Sequence, residues 1–359
     1  MYVKQLDVQS FRTFEYGQVQ FSPEINVIFG DNGAGKTTIL EALSFFAFGR
    51  SFRATQDKDV IQFGQTESRL RVVLEEASRP TELSAKITQR GKQVAVNRVA
   101  KKSLSEFLGH LYCVTFTPDD LAIVKEGPDQ RRRFLNLSMA QYIPGYIKDL
   151  HLYNQLLDKR NQLLKAKQTD ALPVWDAQMC EVAARVVSAR RVFCAKLSEY
   201  CAAQYTSLSK GAEVLTIHYA TETDAEAVSD IADQLQKALV RAEQRDSLRG
   251  FTSVGPHRDD LRLLLEDQSA ARYSSQGQQR TIVLALKLAV VDMMVSETGV
   301  YPILLLDDVF SELDASRQEH LLSLLTRTQT VITATHAQDA LPRATKAFRV
   351  THGIMQEMT

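Results

Sequence analysis

Apolar and polar residues alternate along residues 1–30, for example at Val3, Leu6 and Val8. Alternation with a period near two is typical of a β-strand that buries one face. Further strand-like runs cover 68–75, 82–89 and 94–96, and a glycine-containing turn at 89–93 suits a hairpin loop. We therefore expect an antiparallel β lobe next to the first strands.

The middle of the chain has helical periodicity from about residue 129 to 208. Two apolar stripes carry the pattern, and Pro173 suits the first turn of the second helix. The stripes are Leu150, Tyr153, Leu157 and Leu164, and then Trp175, Met179, Val182, Val186, Phe193 and Leu197. We expect two antiparallel helices that form a short arm, followed by a strand over 213–220 and a helix over 224–248.

From residue 251 onward, strands and helices alternate. The pattern predicts strands over 260–266, 302–307 and 330–335, and helices over 278–295 and from 315, which implies a sheet covered on both faces. The predicted fold is α/β, with a mixed sheet, flanking helices and an antiparallel β lobe, interrupted by a helical arm domain. The expected bounds are 1–125 for the first part, 126–250 for the arm and 251–359 for the second part.

A complete Gly-x-x-x-x-Gly-Lys-Thr loop lies between the apolar run 25–29 and the helical pattern 38–48. Glycines let backbone N–H groups close around phosphate oxygens, and the following helix points its positive end at them. Lys36 would reach the β- and γ-phosphates, and Thr37 would bind Mg²⁺. The predicted nucleotide-binding residues are Gly30, Asp31, Asn32, Gly33, Ala34, Gly35, Lys36, Thr37 and Thr38.

The composition changes this picture little. The 359 residues are 44% hydrophobic and 24% charged, with 43 basic and 43 acidic residues, so a nucleic-acid partner is neither required nor excluded. No apolar run approaches a membrane span, and we expect a cytoplasmic protein with no membrane partner.

Because no Cys-x-x-Cys pair occurs, we expect buried thiols rather than a metal site or disulfides. The cysteines are Cys113, Cys180, Cys194 and Cys201.

Two adjacent carboxylates, Asp307 and Asp308, end the apolar strand pattern at 302–307. Ligands in open α/β sheets lie at the carboxyl ends of strands, and successive side chains point opposite ways. Asp307 would therefore hold Mg²⁺ together with Thr37, and Asp308 would orient the attacking water. The alternative is an Asp pair that only caps a helix. The presence of the phosphate loop in the same chain favours the Mg²⁺ role over this alternative.

The segment 274–280, Ser-Ser-Gln-Gly-Gln-Gln-Arg, directly precedes the long helix pattern at 278–295. A serine hydroxyl, a glycine and the N–H groups of a helix start can bind an anion. Since the phosphate loop already has its own helix terminus, this segment would serve a γ-phosphate that a second subunit presents. An ordinary capped helix is the alternative for this segment alone. Further along lie Ser-Glu-Leu-Asp at 311–314 and His336.

The order of these motifs resembles ABC-type ATPase heads, in which Walker A, signature, Walker B, D-loop and switch histidine follow one another. Within that class the chain resembles the RecF family, bacterial recombination-repair and replication proteins related to SMC and Rad50 heads. The resemblance spans essentially the whole chain. It rests on Ser10-Phe11-Arg12, 116–121, Gly127-Pro128 with 131–135, Gly255-Pro256-His257-Arg258-Asp259-Asp260, and 303–314.

The resemblance implies an ATP-dependent DNA-binding protein that dimerises around two ATP molecules and hydrolyses them slowly. Its members act on single- and double-stranded DNA and junctions in recombinational repair, replication-gap and SOS processing, and they assist RecA loading with RecO and RecR. It implies that Ser275, Gly277 and Gln278 act in trans and that His336 senses the γ-phosphate. It also implies that Arg12 lies against the nucleotide.

Two departures from the wider ABC class accompany the resemblance: Gln276 replaces a glycine, and Asp308 replaces a longer glutamate, so slow turnover is expected. An ATPase subunit of a membrane transporter is the alternative, and the helical arm, the Arg12 segment and Asp308 argue against it. DNA contacts are less well localised than the ATP site, because for each cation taken alone a solvated helix face is favoured over a phosphate contact. The candidates are Arg131, Arg132, Arg133, Arg185, Arg190, Arg191, Lys101 and Lys102.

Overall fold

The computed structural model describes residues 1–75, 79–309, 318, 321, 327–335 and 344–358. The strands in chain order are β1 (Tyr2–Phe11), β2 (Phe14–Gln20), β3 (Ile25–Phe29), β4 (Glu67–Glu75), β5 (Thr81–Thr88), β6 (Gly91–Val96), β7 (Val99–Ala100), β8 (Cys113–Phe116), β9 (Leu215–Ala220), β10 (Asp260–Leu265), β11 (Gln268–Ser269), β12 (Ile303–Asp307), β13 (Thr330–Ala334), β14 (Lys346–Thr351) and β15 (Ile354–Met358). The helices are α1 (Lys36–Phe48), α2 (Ala122–Lys125), α3 (Pro128–Tyr142), α4 (Tyr146–Lys165), α5 (Leu172–Ser209), α6 (Val228–Arg249), α7 (Ala270–Tyr273) and α8 (Gln276–Thr298).

The chain divides into two compact units, one formed by Met1–Leu121 with Lys287–Thr359 and the other by Ala122–Leu286. The sequence pattern predicts an arm that ends at residue 250, whereas this second unit continues to Leu286. The reason is strand pairing: β10 pairs antiparallel with β9 from Asp260↔Ala220 to Leu265↔Leu215. That pairing binds the segment after residue 250 to the arm, and periodicity along the sequence gives no sign of it.

The first unit contains two sheets among its described residues. An antiparallel sheet has the order β2-β1-β4-β5-β6-β7, as the alternating pattern predicts. The other sheet has the order β15-β14-β3-β13-β12-β8, in which β8, β12, β13, β3 and β14 run parallel and only β15 is antiparallel. The parallel strands are almost entirely buried apolar runs, as expected for a sheet covered on both faces. Their carboxyl ends define one edge, where the candidate site lies.

The second unit is built on helices α4, α5 and α6, with a small sheet in the order β11-β10-β9. Its core contains Tyr153, Leu156, Met179, Val187 and Leu235, all less than a tenth exposed. The predicted helical stretch 129–208 forms three main helices rather than two. The additional break falls at Pro144 and Gly145, because proline removes a backbone donor and Gly145 has φ +80°.

All four cysteines are buried and form no disulfide, which confirms the expectation of buried thiols. Burial raises the pKa of Cys180 and of Cys194 to about 12. In the described part of the chain, no helix is both long enough and apolar enough to cross a bilayer.

Candidate ATP site and signature segment

The loop between β3 and α1 contains glycines that no other residue could replace without strain. Gly30 has φ +152°, and a Cβ there would lie 2.3 Å from the carbonyl oxygen of Val350. Gly35 has φ +112°, and its Cβ would lie 2.8 Å from Thr13 Oγ1. Gly33 also has a positive φ but faces open space. The loop thus has the positive-φ glycines that a phosphate-binding loop requires.

Lys36 is the first residue of α1, and only 5% of it is exposed. Its Nζ donates a hydrogen bond to the carbonyl oxygen of Gly30 at 2.7 Å, so the ammonium group curls back over the loop. Asp31, Asn32 and Gly33 are exposed around it. The ammonium therefore lies where the predicted phosphates would be bound.

Thr37 and Asp307 meet although 270 residues separate them in the chain. Thr37 Oγ1 donates to Asp307 Oδ1 at 2.8 Å, and Thr333 Oγ1 on β13 donates to the same oxygen at 2.8 Å. Burial raises the pKa of Asp307, the two hydroxyl groups lower it, and Asp308 raises it further. The structure brings Thr37 and Asp307 together, and their binding of Mg²⁺ stays a prediction. Thr333 is a further partner of Asp307 that the sequence pattern does not indicate.

This donor set fits Mg²⁺. Magnesium in nucleotide sites keeps several waters and takes one or two carboxylate or hydroxyl ligands together with phosphate oxygens. Among the described residues, no group of three or more His, Cys, Asp or Glu side chains could hold a metal by itself. Thr37 and Asp307 are the residues that would hold a Mg²⁺ ion together with nucleotide phosphates.

Asp308 has a left-handed backbone with φ +51°, and its N–H donates to Thr333 Oγ1 at 3.0 Å. Ser10 and Arg12 also have positive φ, at +50° and +53°. Non-glycine residues in this region are uncommon and tend to occur at functional sites. The catalytic role of Asp308 remains a prediction.

Arg12 forms a bidentate ion pair with Glu41 of α1, at 2.7 and 3.0 Å. The Glu41 side chain is fully buried and also accepts a hydrogen bond from Ser51 Oγ. Arg12 Nη1 donates to the carbonyl oxygen of Asp59. Glu41 thus orients Arg12. The sequence pattern does not single out Glu41, although a carboxylate within the apolar run of α1 could have drawn attention to it.

Ser275 directly precedes α8 and caps it. Its Oγ accepts the N–H of Gln278 at 3.2 Å, and its own N–H donates to Gln278 Oε1 at 2.7 Å, which is a reciprocal capping box. Ser275 is exposed, and Thr281 Oγ1 donates to the carbonyl oxygen of Gly277. The capped helix start, which is the alternative interpretation of this segment, is present, and the role of Ser275 in trans stays a prediction. His336 and the segment 311–314 lie outside the described residues.

Comparison with known proteins identifies the relatives of this chain. A family model described as the RecF/RecN/SMC N terminal domain matches residues 2–358. The DNA replication and repair protein RecF of Bacillus subtilis (strain 168) is 38% identical over 371 residues, which cover 99% of this chain and 100% of that protein. RecF of Listeria welshimeri is 40% identical over 373 residues, with the same coverage of each. The chain belongs to the RecF family.

Solved structures agree with this assignment. The structure of the recombination mediator protein RecF-ATPrS in the RecFOR pathway matches with a TM-score of 0.93 at 32% identity, and covers 100% of this chain and 98% of that one. The corresponding RecF-ATP structure gives the same values. An SMC head bound to a domain of ScpA matches at 15% identity with a TM-score of 0.56, which shows the fold alone. The predicted ABC-type ATPase head fold of this RecF-family chain is confirmed.

Five of the arginines that are candidates for DNA contact have partners within this RecF-family chain. Arg131 forms a bidentate ion pair with Asp260, and Arg190 is 2% exposed and donates to Tyr146 and to the carbonyl oxygen of Pro256. The remaining partners are the carbonyl oxygen of Asp259 for Arg132, Asp149 for Arg185, and the carbonyl oxygens of Thr223 and Ala225 for Arg191. Arg258, in the family segment that begins at Gly255, lies over the ring of Phe251 and donates to the carbonyl oxygen of Thr252.

The RecF-family segment Gly255-Pro256-His257 packs against Tyr153. A Cβ on Gly255 would lie 2.5 Å from the Tyr153 hydroxyl oxygen, which bonds to His257 Nδ1. Because His257 Nε2 contacts the carbonyl oxygen of Thr252 at 3.0 Å, Nε2 carries the proton and Nδ1 accepts from Tyr153. Burial lowers the pKa of His257 from 6.5 to about 4, with smaller effects from Arg258 and Arg132. The ring is thus neutral in the folded arm.

We expect the arm to lose stability as pH falls from about 6.5 toward 4. Since the pKa of His257 is lower in the folded state, the unfolded chain binds more protons in that window, and the free energy of unfolding falls by up to about 1.4 kcal/mol per pH unit. The single tryptophan, Trp175, packs against the arm core and reports its unfolding in urea. His257→Gln should flatten the slope between pH 6.5 and 5, whereas His151→Gln, at an exposed position, should not. Equal slopes in the two variants would contradict this prediction.

Proposed function

We propose that this chain is an ATP-gated DNA-binding protein of recombinational repair. In this proposal it binds ATP and Mg²⁺ through Arg12, the loop from Gly30 to Thr38 and Asp307, and hydrolyses ATP slowly with Asp308 orienting the water. Two copies close around two ATP molecules, each copy contributing Ser275, Gly277 and Gln278 to the nucleotide of the other. His336 would contact the γ-phosphate.

The observation that carries the proposal is the contact between Thr37 and Asp307 beside Lys36 and the glycine loop. A hydroxyl group and a carboxylate from opposite ends of the chain converge next to the glycine loop and Lys36, and a nucleotide with its Mg²⁺ is the ligand that uses all of them. The RecF structures that match this chain are RecF-ATP and RecF-ATPrS, which supports the same ligand.

The relatives support a cellular role in DNA repair. Proteins 38–40% identical over the whole chain are DNA replication and repair proteins, and the matching structures belong to a RecFOR pathway. We therefore propose that the chain acts in the cytoplasm, at gaps and junctions in DNA during repair and the SOS response, and assists RecA loading with RecO and RecR. A transporter subunit is disfavoured by the family assignment.

A filter-binding assay tests the DNA part of the proposal. Labelled duplex, single-stranded and junction DNA should be retained with ATP and Mg²⁺ and much less with ADP, at one fixed salt concentration. Lys102 is exposed, and Lys102→Ala should lower retention uniformly across sequences if it contacts phosphate. Retention that does not respond to the nucleotide would refute ATP gating.

A further inference from the structure

The start of α8 is anchored by a carboxylate that lies outside the signature segment, Ser274–Arg280. Gln278 Nε2 donates to Glu213 Oε1, while Gln278 Oε1 accepts the N–H of Ser275 at 2.7 Å. The side-chain amide is therefore fixed at both ends. A flipped amide would turn its oxygen toward a carboxylate and its NH₂ toward an N–H group, so only one orientation satisfies both neighbours.

Glu213 is itself held in place from two sides. Its Oε2 accepts a hydrogen bond at 2.7 Å from the hydroxyl group of Tyr205, a residue of α5 that is 1% exposed. The next residue, Val214, exchanges hydrogen bonds with Glu266 at the end of the β9–β10 pair. The carboxylate therefore has little freedom, and its position is set by the last turn of the arm helix α5.

The capping arrangement determines which part of the Ser275 hydroxyl group remains for a ligand. Its oxygen already accepts the N–H of Gln278, so the O–H bond is the donor that is left, and Ser275 is exposed. A phosphate oxygen is an acceptor without a proton and matches such a donor. Any movement of Gln278 would change the direction of this hydroxyl group.

We propose that Glu213 is a positioning residue for the composite ATP site. Through Gln278 it fixes Ser275 in the orientation that contacts the γ-phosphate held by a second copy of this chain. The inference rests on the proposed function, since it requires that Ser275 act in trans. The line of hydrogen bonds runs from Tyr205 on the arm helix through Glu213 and Gln278 to Ser275.

A charge exchange between positions 213 and 278 separates this role from simple helix capping. Glutamate is as good a capping-box residue as glutamine and favours a helix N-terminus, so capping alone predicts that Gln278→Glu is harmless. Our inference predicts the opposite, because the new carboxylate would face Glu213. Adding Glu213→Gln restores the contact, because the amide now at position 213 donates to the carboxylate now at position 278. The double variant should therefore recover ATP-dependent dimerisation.

Sedimentation with ATP and Mg²⁺ would measure the dimer dissociation constant of each variant. We expect Gln278→Glu and Glu213→Ala to weaken the dimer by about tenfold for each composite site, the usual effect of losing a hydrogen bond to a charged group. The Glu213→Gln, Gln278→Glu double variant should dimerise more tightly than Gln278→Glu alone. Monomeric Glu213→Ala should bind ATP with unchanged affinity, because its own glycine loop is intact.

The possible outcomes distinguish this inference from the proposed function. If Gln278→Glu dimerises normally, or if Glu213→Gln fails to rescue it, the positioning role of Glu213 is refuted while the composite site stands. If the wild type does not dimerise with ATP, the composite site itself is refuted, and the inference with it. Glu222→Ala, which removes an exposed carboxylate of the same unit, is the matched control and should leave dimerisation unchanged.

Discussion

Lys36→Arg should lower the rate of ATP hydrolysis at saturating ATP by about a hundredfold or more, the usual effect of losing one preorganised donor to transition-state charge. Lys36 is almost fully buried, and its Nζ lies 2.7 Å from the carbonyl oxygen of Gly30. A planar guanidinium is larger and cannot place one compact charge there, although the positive charge persists. ATP affinity should therefore fall much less than the hydrolysis rate.

Two measurements check this prediction: the turnover rate at saturating ATP, and the affinity for a fluorescent ATP analogue. Lys148→Arg, the same substitution at an exposed position of α4, is the control and should change neither. Normal hydrolysis by Lys36→Arg would show that the glycine loop is not the site of ATP chemistry. A loss of ATP affinity with an unchanged turnover rate at saturating ATP would instead assign Lys36 to ground-state binding.

Ser275→Arg should abolish ATP-dependent dimerisation and leave ATP binding by the monomer intact. The substitution places a long cation where the second copy must approach, and it removes the cap of α8, which costs about 1 kcal/mol of stability. The cap and the contact in trans can be separated with a second variant. Ser275→Asp keeps an oxygen that caps the helix but turns a negative charge toward the γ-phosphate.

We expect Ser275→Asp to match or exceed the wild type in thermal stability and still fail to dimerise, because aspartate is a strong N-cap and favours a helix N-terminus. Sedimentation with and without ATP, together with thermal denaturation, measures both properties. A dimer fraction for Ser275→Asp equal to that of the wild type would reject the role in trans. In that case Ser275 would be a helix cap and nothing more.

The parts of the site encoded over short distances could be predicted from the sequence. Gly30 to Thr37 form one loop whose spacing carries its own chemistry, and Asp307 follows from the rule that ligands lie at the ends of parallel strands. The capping box of Ser275 with Gln278 is equally local. The glycine loop and the capping box depend on neighbouring residues alone.

What the sequence could not reveal depends on contacts between distant positions. Thr333 joins Asp307 only because β13 lies beside β12, and Glu41 meets Arg12 across 29 positions. The same limit affected the DNA candidates. The sequence does not show which acidic residue a basic residue pairs with. Arg131, for example, pairs with Asp260, which lies 129 positions further along the chain. The pairing of β10 with β9 shifted the arm boundary for the same reason.

The burial of the four thiols makes the chain suitable for site-specific labelling. The thiolate is the reactive form, and a thiol with a pKa near 12, such as that of Cys180 or Cys194, is almost entirely protonated at neutral pH. A cysteine introduced at an exposed position would therefore react with a maleimide dye far faster than the native thiols. Assembly of two copies could then be followed by energy transfer between dyes without first removing any natural cysteine.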